Sequence, residues 1–343
     1  MRRDVPDRLT RMAHACAAMG SPLYGALLAR AAEQYRSGGP VARVLDDHAD
    51  RSRLGLRLMA ALHYLALSGD AALAAHYPST GGDGDAAAIW EIAGDRFARD
   101  AETIDALMER PLQTNEPARA MPLMAGYCWL AARYRLPMRV FEIGASAGLN
   151  LRWDAFAYDG GDWTYGGPSP LVLRNRIASG APAHLSAVPT VAERRGCDLH
   201  PLDATSAVDR MELFSFVWPD QTARVARLRA ALEVAALLPV EVDRADLLDW
   251  LPRRATPADG TLTVVTESVL TEHLALDTRD ALTAAVHAQA ARATAGAPFA
   301  WLRMEPSEGA YATEIFTWPD VRPAGVRIAT SDGHAQNIVW SGA

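Results

Sequence analysis

The chain has 343 residues, 50% of them hydrophobic and 22% charged, a composition that excludes a mainly disordered protein and leaves room for one large domain or two ordinary ones. Its formal charge of −7 excludes the basic footprint of a dedicated nucleic-acid binder, and its cations are all arginine. Cys16, Cys128 and Cys197 stand far apart with no CxxC pair, which fits a reducing compartment and argues against a cysteine zinc site. No apolar run reaches the ~18–20 residues of a membrane span. The start, Met1-Arg2-Arg3-Asp4, turns acidic before any apolar leader segment follows. The expectation is a cytoplasmic protein with neither a membrane nor a nucleic-acid partner, and nothing in the sequence sets an oligomeric state.

From Asp7 to about Tyr134 the periodicity is helical. Leu9, Met12, Ala13, Cys16 and Met19 recur at three- and four-residue steps, and Leu23, Leu27 and Leu28 continue after Ser21-Pro22. Leu54, Leu58, Leu62 and Leu65 form a further stripe. A turn-rich stretch from Pro78 to Asp85 precedes a helix expected over Ala86–Met108, and another helix is expected over Ala118–Tyr134. Strand character begins at Met138, with Arg139–Ile143 ending at Gly144. Later strands are expected at Val191–Cys197, Val240–Val242, Leu262–Thr266, Phe299–Met304, Glu314–Thr317 and Val326–Thr330, with helices over Trp218–Pro239 and Thr278–Ala295. The alternation predicts an α/β fold: a helical domain over residues 1–136, then a Rossmann-like, mostly parallel sheet over 137–343 with an antiparallel C-terminal end.

The most informative segment is Val140-Phe141-Glu142-Ile143-Gly144-Ala145-Ser146-Ala147-Gly148-Leu149-Asn150, a strand entering a turn of small residues and then an expected helix. Small residues let backbone approach a ligand closely. The dinucleotide fingerprint G-x-G-x-x-G fails, because Ser146 and Leu149 fill its second and third glycine positions. The segment resembles the E/D-x-G-x-G-x-G motif of class I S-adenosylmethionine-dependent methyltransferases, with Ser146 at the middle glycine. That resemblance implies a cofactor contact at Glu142, Gly144, Ser146 and Gly148. It also implies acids after the second and third strands, where Asp198 and Asp246 stand; Asn150 would orient the cofactor carboxylate or cap the next helix. The interval from Glu142 to Asp198 exceeds the ~20 residues of a compact βαβ unit, so an insertion is expected at about Tyr158–Ala187.

The same residues also spell G-x-S-x-G, the nucleophile elbow of serine hydrolases, and chain order permits Ser146 as nucleophile with His334 as base. Against this, the helical region up to Tyr134 precedes the first strand where a hydrolase would have several strands and an oxyanion loop. A non-catalytic ligand-binding protein on the same fold is the third reading.

Several stretches together resemble an uncharacterised bacterial family, the domain of unknown function DUF 2332, along the full chain. They are Gln113-Thr114-Asn115-Glu116, Glu142–Asn150, Arg194-Arg195-Gly196-Cys197-Asp198, Val217-Trp218-Pro219-Asp220-Gln221 with Arg224, Ala300–Pro306 and Thr317-Trp318-Pro319. The resemblance implies a helical region before a methyltransferase-like domain. Two departures stand out: Glu267-Ser268 where the family pattern reads His-Ser, and His334-Ala335 where it reads His-Gly.

The expected function is an S-adenosylmethionine-dependent transferase acting on a small polar metabolite. Glu267 is the first candidate for base or substrate anchor and His334 the second, with Gln113, Asn115 and Glu116 as a polar substrate rim, in a loop that would equally cap the helix after it. In Trp218-Pro219-Asp220-Gln221, Asp220 is expected to cap the helix that follows it. His63 and His76 read as packing or surface residues. No metal-ligand spacing occurs, so no metal site is expected.

Overall fold

Proline and capping side chains start several of the helices of the first third of the chain in the computed structural model, which describes residues 4–320 and 325–342. Met1, Arg2 and Arg3, read above for a leader, lie outside the described residues. Helices α1 (Val5–Ala18), α2 (Pro22–Ser37), α3 (Pro40–Asp47), α4 (Leu54–Leu67), α5 (Ala71–Ala74), α6 (Ala86–Arg99), α7 (Ala101–Glu109) and α8 (Ala120–Tyr134) follow without a strand. Pro22 and Pro40 open α2 and α3, where a missing N–H costs nothing. Asp85 accepts the Ala87 and Ala88 N–H groups at the start of α6. The stripe residues Leu9, Ala13, Cys16, Leu27, Leu28, Leu58 and Leu62 are buried in one core with Trp90, Phe97 and Ile104. The single helix expected over Ala86–Met108 is in fact two, broken at Asp100 with φ −121°. Among the described residues, no helix is long and apolar enough to cross a membrane.

The chain divides into two compact units: residues 1–114 with 206–229, and residues 115–205 with 230–343. This differs from the expected boundary at 136. Helix α8 goes with the sheet, while α9 (Ala207–Ser215) and the first half of α10 (Thr222–Leu237) go with the helical unit.

In the second unit the strands are β1 (Met138–Ile143), β2 (Ala157–Asp159), β3 (Thr164–Tyr165), β4 (Val172–Leu173), β5 (Ile177–Ser179), β6 (Val191–Asp198), β7 (Glu241–Arg244), β8 (Leu262–Ser268), β9 (Phe299–Ser307), β10 (Ala310–Trp318), β11 (Val326–Ser331) and β12 (Ile338–Trp340), with α11 (Leu247–Arg254) and α12 (Leu276–Ala290) between them. The large sheet runs β5-β12-β11-β10-β9-β8-β1-β6-β7. Its β7-β6-β1-β8-β9 part is parallel, β10, β11 and β12 are antiparallel to their predecessors, and β5 returns parallel to β12. The insertion is present, and it carries a small sheet, β3-β2-β4, together with β5, but no α-helix.

Each face of the large sheet has its own cover. Phe141, Val265 and Trp301 pack with Trp250, Leu251, Leu282 and Val286 of α11 and α12. Leu302 faces the other way, and a Cβ on Gly126 of α8 would stand 2.6 Å from its Cδ1, so that helix lies close on the opposite face.

Within the helical unit, the Asp220 carboxylate holds the start of α2, accepting the Ser21 hydroxyl at 2.7 Å and the Leu23 N–H at 2.9 Å. Gln221 Nε2 donates to the Met19 carbonyl at 2.8 Å, Arg224 donates to Gln221 Oε1, and Trp218 is buried in the helical core. The motif Trp218-Pro219-Asp220-Gln221 with Arg224 is therefore a clamp that returns a distant segment to the α1–α2 turn. Asp220→Ala, which strands a buried cap and removes two charge-assisted hydrogen bonds, is expected to lower stability by about 2–3 kcal/mol. Urea midpoints of wild type and variant at neutral pH measure it.

Candidate functional site

Counting the parallel strands in chain order, the sheet reads third-second-first-fourth-fifth, so its order reverses between β1 and β8. Open α/β sheets bind ligands outside the carboxyl ends of the strands at that reversal. The turn leaving β1 is left-handed at three alternate residues: Gly144 (φ 66°), Ser146 (φ 54°) and Gly148 (φ 63°). Glycine accepts this conformation freely, but serine needs compensation. The Ser146 N–H donates to Asp198 Oδ2 at 2.9 Å, and the other oxygen of Asp198 accepts the His200 N–H at 2.8 Å. Ala145 N–H donates to the Cys197 carbonyl, and Gly196 leaves the room this needs, since a Cβ there would stand 2.6 Å from that of Ala145. Arg152, itself buried, donates to the Ala147 and Gly148 carbonyls at 3.1 and 2.7 Å and to Leu238 at 2.8 Å. The expected α-helix after the turn is a six-residue 3-10 helix, Asn150–Ala155.

Glu142 closes the floor. It is buried, and its Oε2 meets no hydrogen-bond partner. Burial pushes its carboxyl up to about 8; Asp198 adds to the rise, while Arg152 and Arg119 oppose it. Asn150 is buried with both amide atoms unpartnered. Two rim residues join this group, for Asn115 Oδ1 accepts the Leu149 N–H at 3.1 Å and Glu116 accepts the Ala118 N–H. Arg119, also buried, donates to the Gly333 carbonyl at 3.0 Å and the Ser268 carbonyl at 3.4 Å. It thereby ties the end of β8 to the loop that carries His334.

The remaining expected site residues have surroundings of their own. Gln113 is in the helical unit. Asp246 is exposed and caps α11, accepting the Leu248 N–H at 2.8 Å. Glu267 follows Thr266, the register partner of Glu142, so its side chain takes the opposite face of the sheet. There it is 0% exposed, 3.9 Å from Arg303 Nε, and its carboxyl is driven upward by burial and by nearby Glu305. Glu305 in turn accepts the Leu270 and Thr271 N–H groups at 2.8 and 3.1 Å. Just before them Val269 has φ 56°, an outlier for a β-branched residue, of a kind that gathers at functional loops.

Sequence reasoning missed Arg119, Arg152 and Asn175, whose Nδ2 bridges the Ala118 and Ala335 carbonyls. It did single out the Arg194-Arg195 stretch, where both arginines are braces: Arg194 pairs with Asp154, and Arg195 pairs with Asp243, whose carboxyl it holds down at about 2. Among the described residues, no group of three or more His, Cys, Asp or Glu could hold a metal ion.

A helical region and a mostly parallel sheet with an antiparallel end, whose strand order reverses between β1 and β8, define an open α/β architecture. The chain belongs to the family described as "Uncharacterized protein conserved in bacteria (DUF2332)", which it matches over residues 6–340. Among the curated proteins, none matches it. One solved structure, described as "DhpI-SAH complex structure", is similar at 14% identity over 64% of this chain and 72% of that one, with a TM-score of 0.23.

The raised carboxyl of Glu142 has a definite sign. Above the ordinary value of 4.5 the unfolded chain has released a proton that the folded chain keeps until about pH 8, so this group's contribution to stability falls as pH rises across that window. The slope is about 1.4 kcal/mol per pH unit. Glu142→Gln should match wild type at pH 5 and exceed it at pH 8 in urea midpoints; parallel profiles would show a carboxylate already ionised in the folded state.

Proposed function

We propose that the crevice at the ends of β1 and β8 binds S-adenosylmethionine and that the protein transfers its methyl group to a small polar metabolite. The observation that carries this reading is the pairing of a left-handed turn at Gly144, Ser146 and Gly148 with acids at the ends of two adjacent strands, Glu142 and Asp198. That is the arrangement implied by the motif the segment resembles.

The residues present fit such a ligand. Glu142 Oε2 and both amide atoms of Asn150 are buried and unpartnered, a cost of about 1–3 kcal/mol each that an amine, carboxylate or hydroxyl of a ligand would relieve. Asp198 accepts two N–H groups and keeps lone pairs for ribose hydroxyls. Arg119 and Arg152 supply positive charge beside Glu142.

Bound S-adenosylmethionine would supply an electrophilic methyl group on sulfur. The protein's part is to place an acceptor in line with it and to take the acceptor's proton. To His334, partly exposed in the loop held by Arg119, we assign that proton. Glu267, sealed on the other face, is not. Asn115 and Glu116, joined to the turn and to the start of α8, form the rim an acceptor would meet. A Ser146 nucleophile has less support, because a short 3-10 helix stands where the elbow needs a full helix.

Calorimetry with S-adenosylmethionine and S-adenosylhomocysteine tests the reading. Binding in the micromolar range is expected, weakened roughly tenfold or more in Asp198→Ala. No heat from either ligand with correctly folded wild type would overturn it. Once turnover is found, His334→Gln should lower kcat by about a hundredfold, with cofactor affinity unchanged.

A further inference from the structure

We infer that His63 and Ser79 form a nucleophile–base pair in the helical unit, separate from the sheet crevice, that accepts acyl groups from esters with good leaving groups. His63 lies on α4 and is 0% exposed. Its Nδ1 is 3.1 Å from the Ser215 carbonyl oxygen, and its Nε2 is 2.7 Å from Ser79 Oγ. A carbonyl can only accept, so Nδ1 carries the proton and Nε2 turns its lone pair to the Ser79 hydroxyl, which donates. Tyr77 stacks on the ring at 5.2 Å and 5°, fixing its plane. Nucleophile, base and orienting group are thus in the order and at the separations that serine activation requires.

The nucleophile is presented on a rigid loop. Thr80 and Gly82 N–H groups donate to the Tyr77 carbonyl, Gly81 to Pro78 and Gly84 to His76, while His76 pairs with Asp83 at 2.8 Å. Ser79 keeps partial exposure at the surface, with its base sealed behind it. Burial lowers the imidazole to about 4, so it is neutral at physiological pH and free to accept.

The same features set the substrate class. The orienting group is a neutral carbonyl, not a carboxylate, and burial disfavours the imidazolium, so His63 is a weak base. Amides demand more; aryl esters and thioesters, whose leaving groups depart readily, demand less. In the step, Ser79 Oγ bonds to the acyl carbon as its proton passes to His63 Nε2. The bond to the leaving group then breaks, and Nε2 returns the proton to it. Water repeats the sequence on the acyl-serine, releasing the carboxylic acid and restoring both residues.

The test treats the full chain with a fluorophosphonate probe and maps adducts by peptide mass spectrometry. Ser79 is expected to label at least a hundredfold faster than the other partly exposed serines in the same digest. The adduct should be lost in Ser79→Ala, kept in Ser146→Ala, and slowed about a hundredfold in His63→Gln. No adduct at Ser79, or one no faster than at the other serines, overturns the proposal whether or not the histidine variant folds. Because the readout is independent of S-adenosylmethionine, its failure and that of the crevice reading are separate results.

Discussion

A carboxylate on one strand holds the amide of a turn on its neighbour, and the carboxyl edge of the sheet depends on that contact. Asp198 at the end of β6 accepts the Ser146 N–H from the turn after β1. A left-handed serine costs roughly 1–2 kcal/mol, while a hydrogen bond to a charged acceptor contributes about 1.5–3 kcal/mol. The balance favours the turn, but narrowly. Two further side chains at this edge are attached to the turn: Arg152 to its carbonyls and Asn115 to the amide just beyond it.

The upper end of the sheet is a polar region within an otherwise apolar interior. Glu142 is buried on the face covered by α8, and Glu267 with Glu305 on the face covered by α11 and α12. Such carboxyls survive burial by keeping a proton or by collecting donors. Glu305 collects donors from Leu270 and Thr271, and so shapes the strained loop at Val269; Glu267 keeps its proton. Ionisable groups are thus buried on both faces of the sheet without sharing a surface.

What could be read in advance follows physical range. Helices α1, α2 and α4 announce themselves through three- and four-residue spacing, and β1, β8 and β9 through short stretches rich in β-branched and aromatic residues, because these signals are local. Strands β2 to β5, two or three residues each, carry too short a pattern to stand out. The α6–α7 break at Asp100 falls between the buried positions Phe97 and Ile104, so the apolar stripe continues across it and hides it. Asp220 was legible as a cap but not as the cap of α2, since that contact joins segments far apart in the chain. The candidate site shows the same limit. The Glu142–Gly148 turn and Asp198 come together as their residue types suggested, whereas Glu267 misses by a single position. One step beyond Thr266 reverses the face, and only the register between β1 and β8 reveals it.

Strand β5 has a temporal consequence. It leaves the insertion between β1 and β6 and finds its partner only in β12, where Ile177 stands opposite Ile338. Nearby Asn175 bonds Ala335 across a separation of 160 residues. At ribosomal speeds of about 5–20 residues per second, the segment waits roughly ten to thirty seconds unpaired while the rest of the sheet is made. Its three residues, Ile177-Ala178-Ser179, then Gly180, present little apolar length to a stranger's strand during that wait. Brevity and small side chains at this edge are the safeguard of a sheet that closes last.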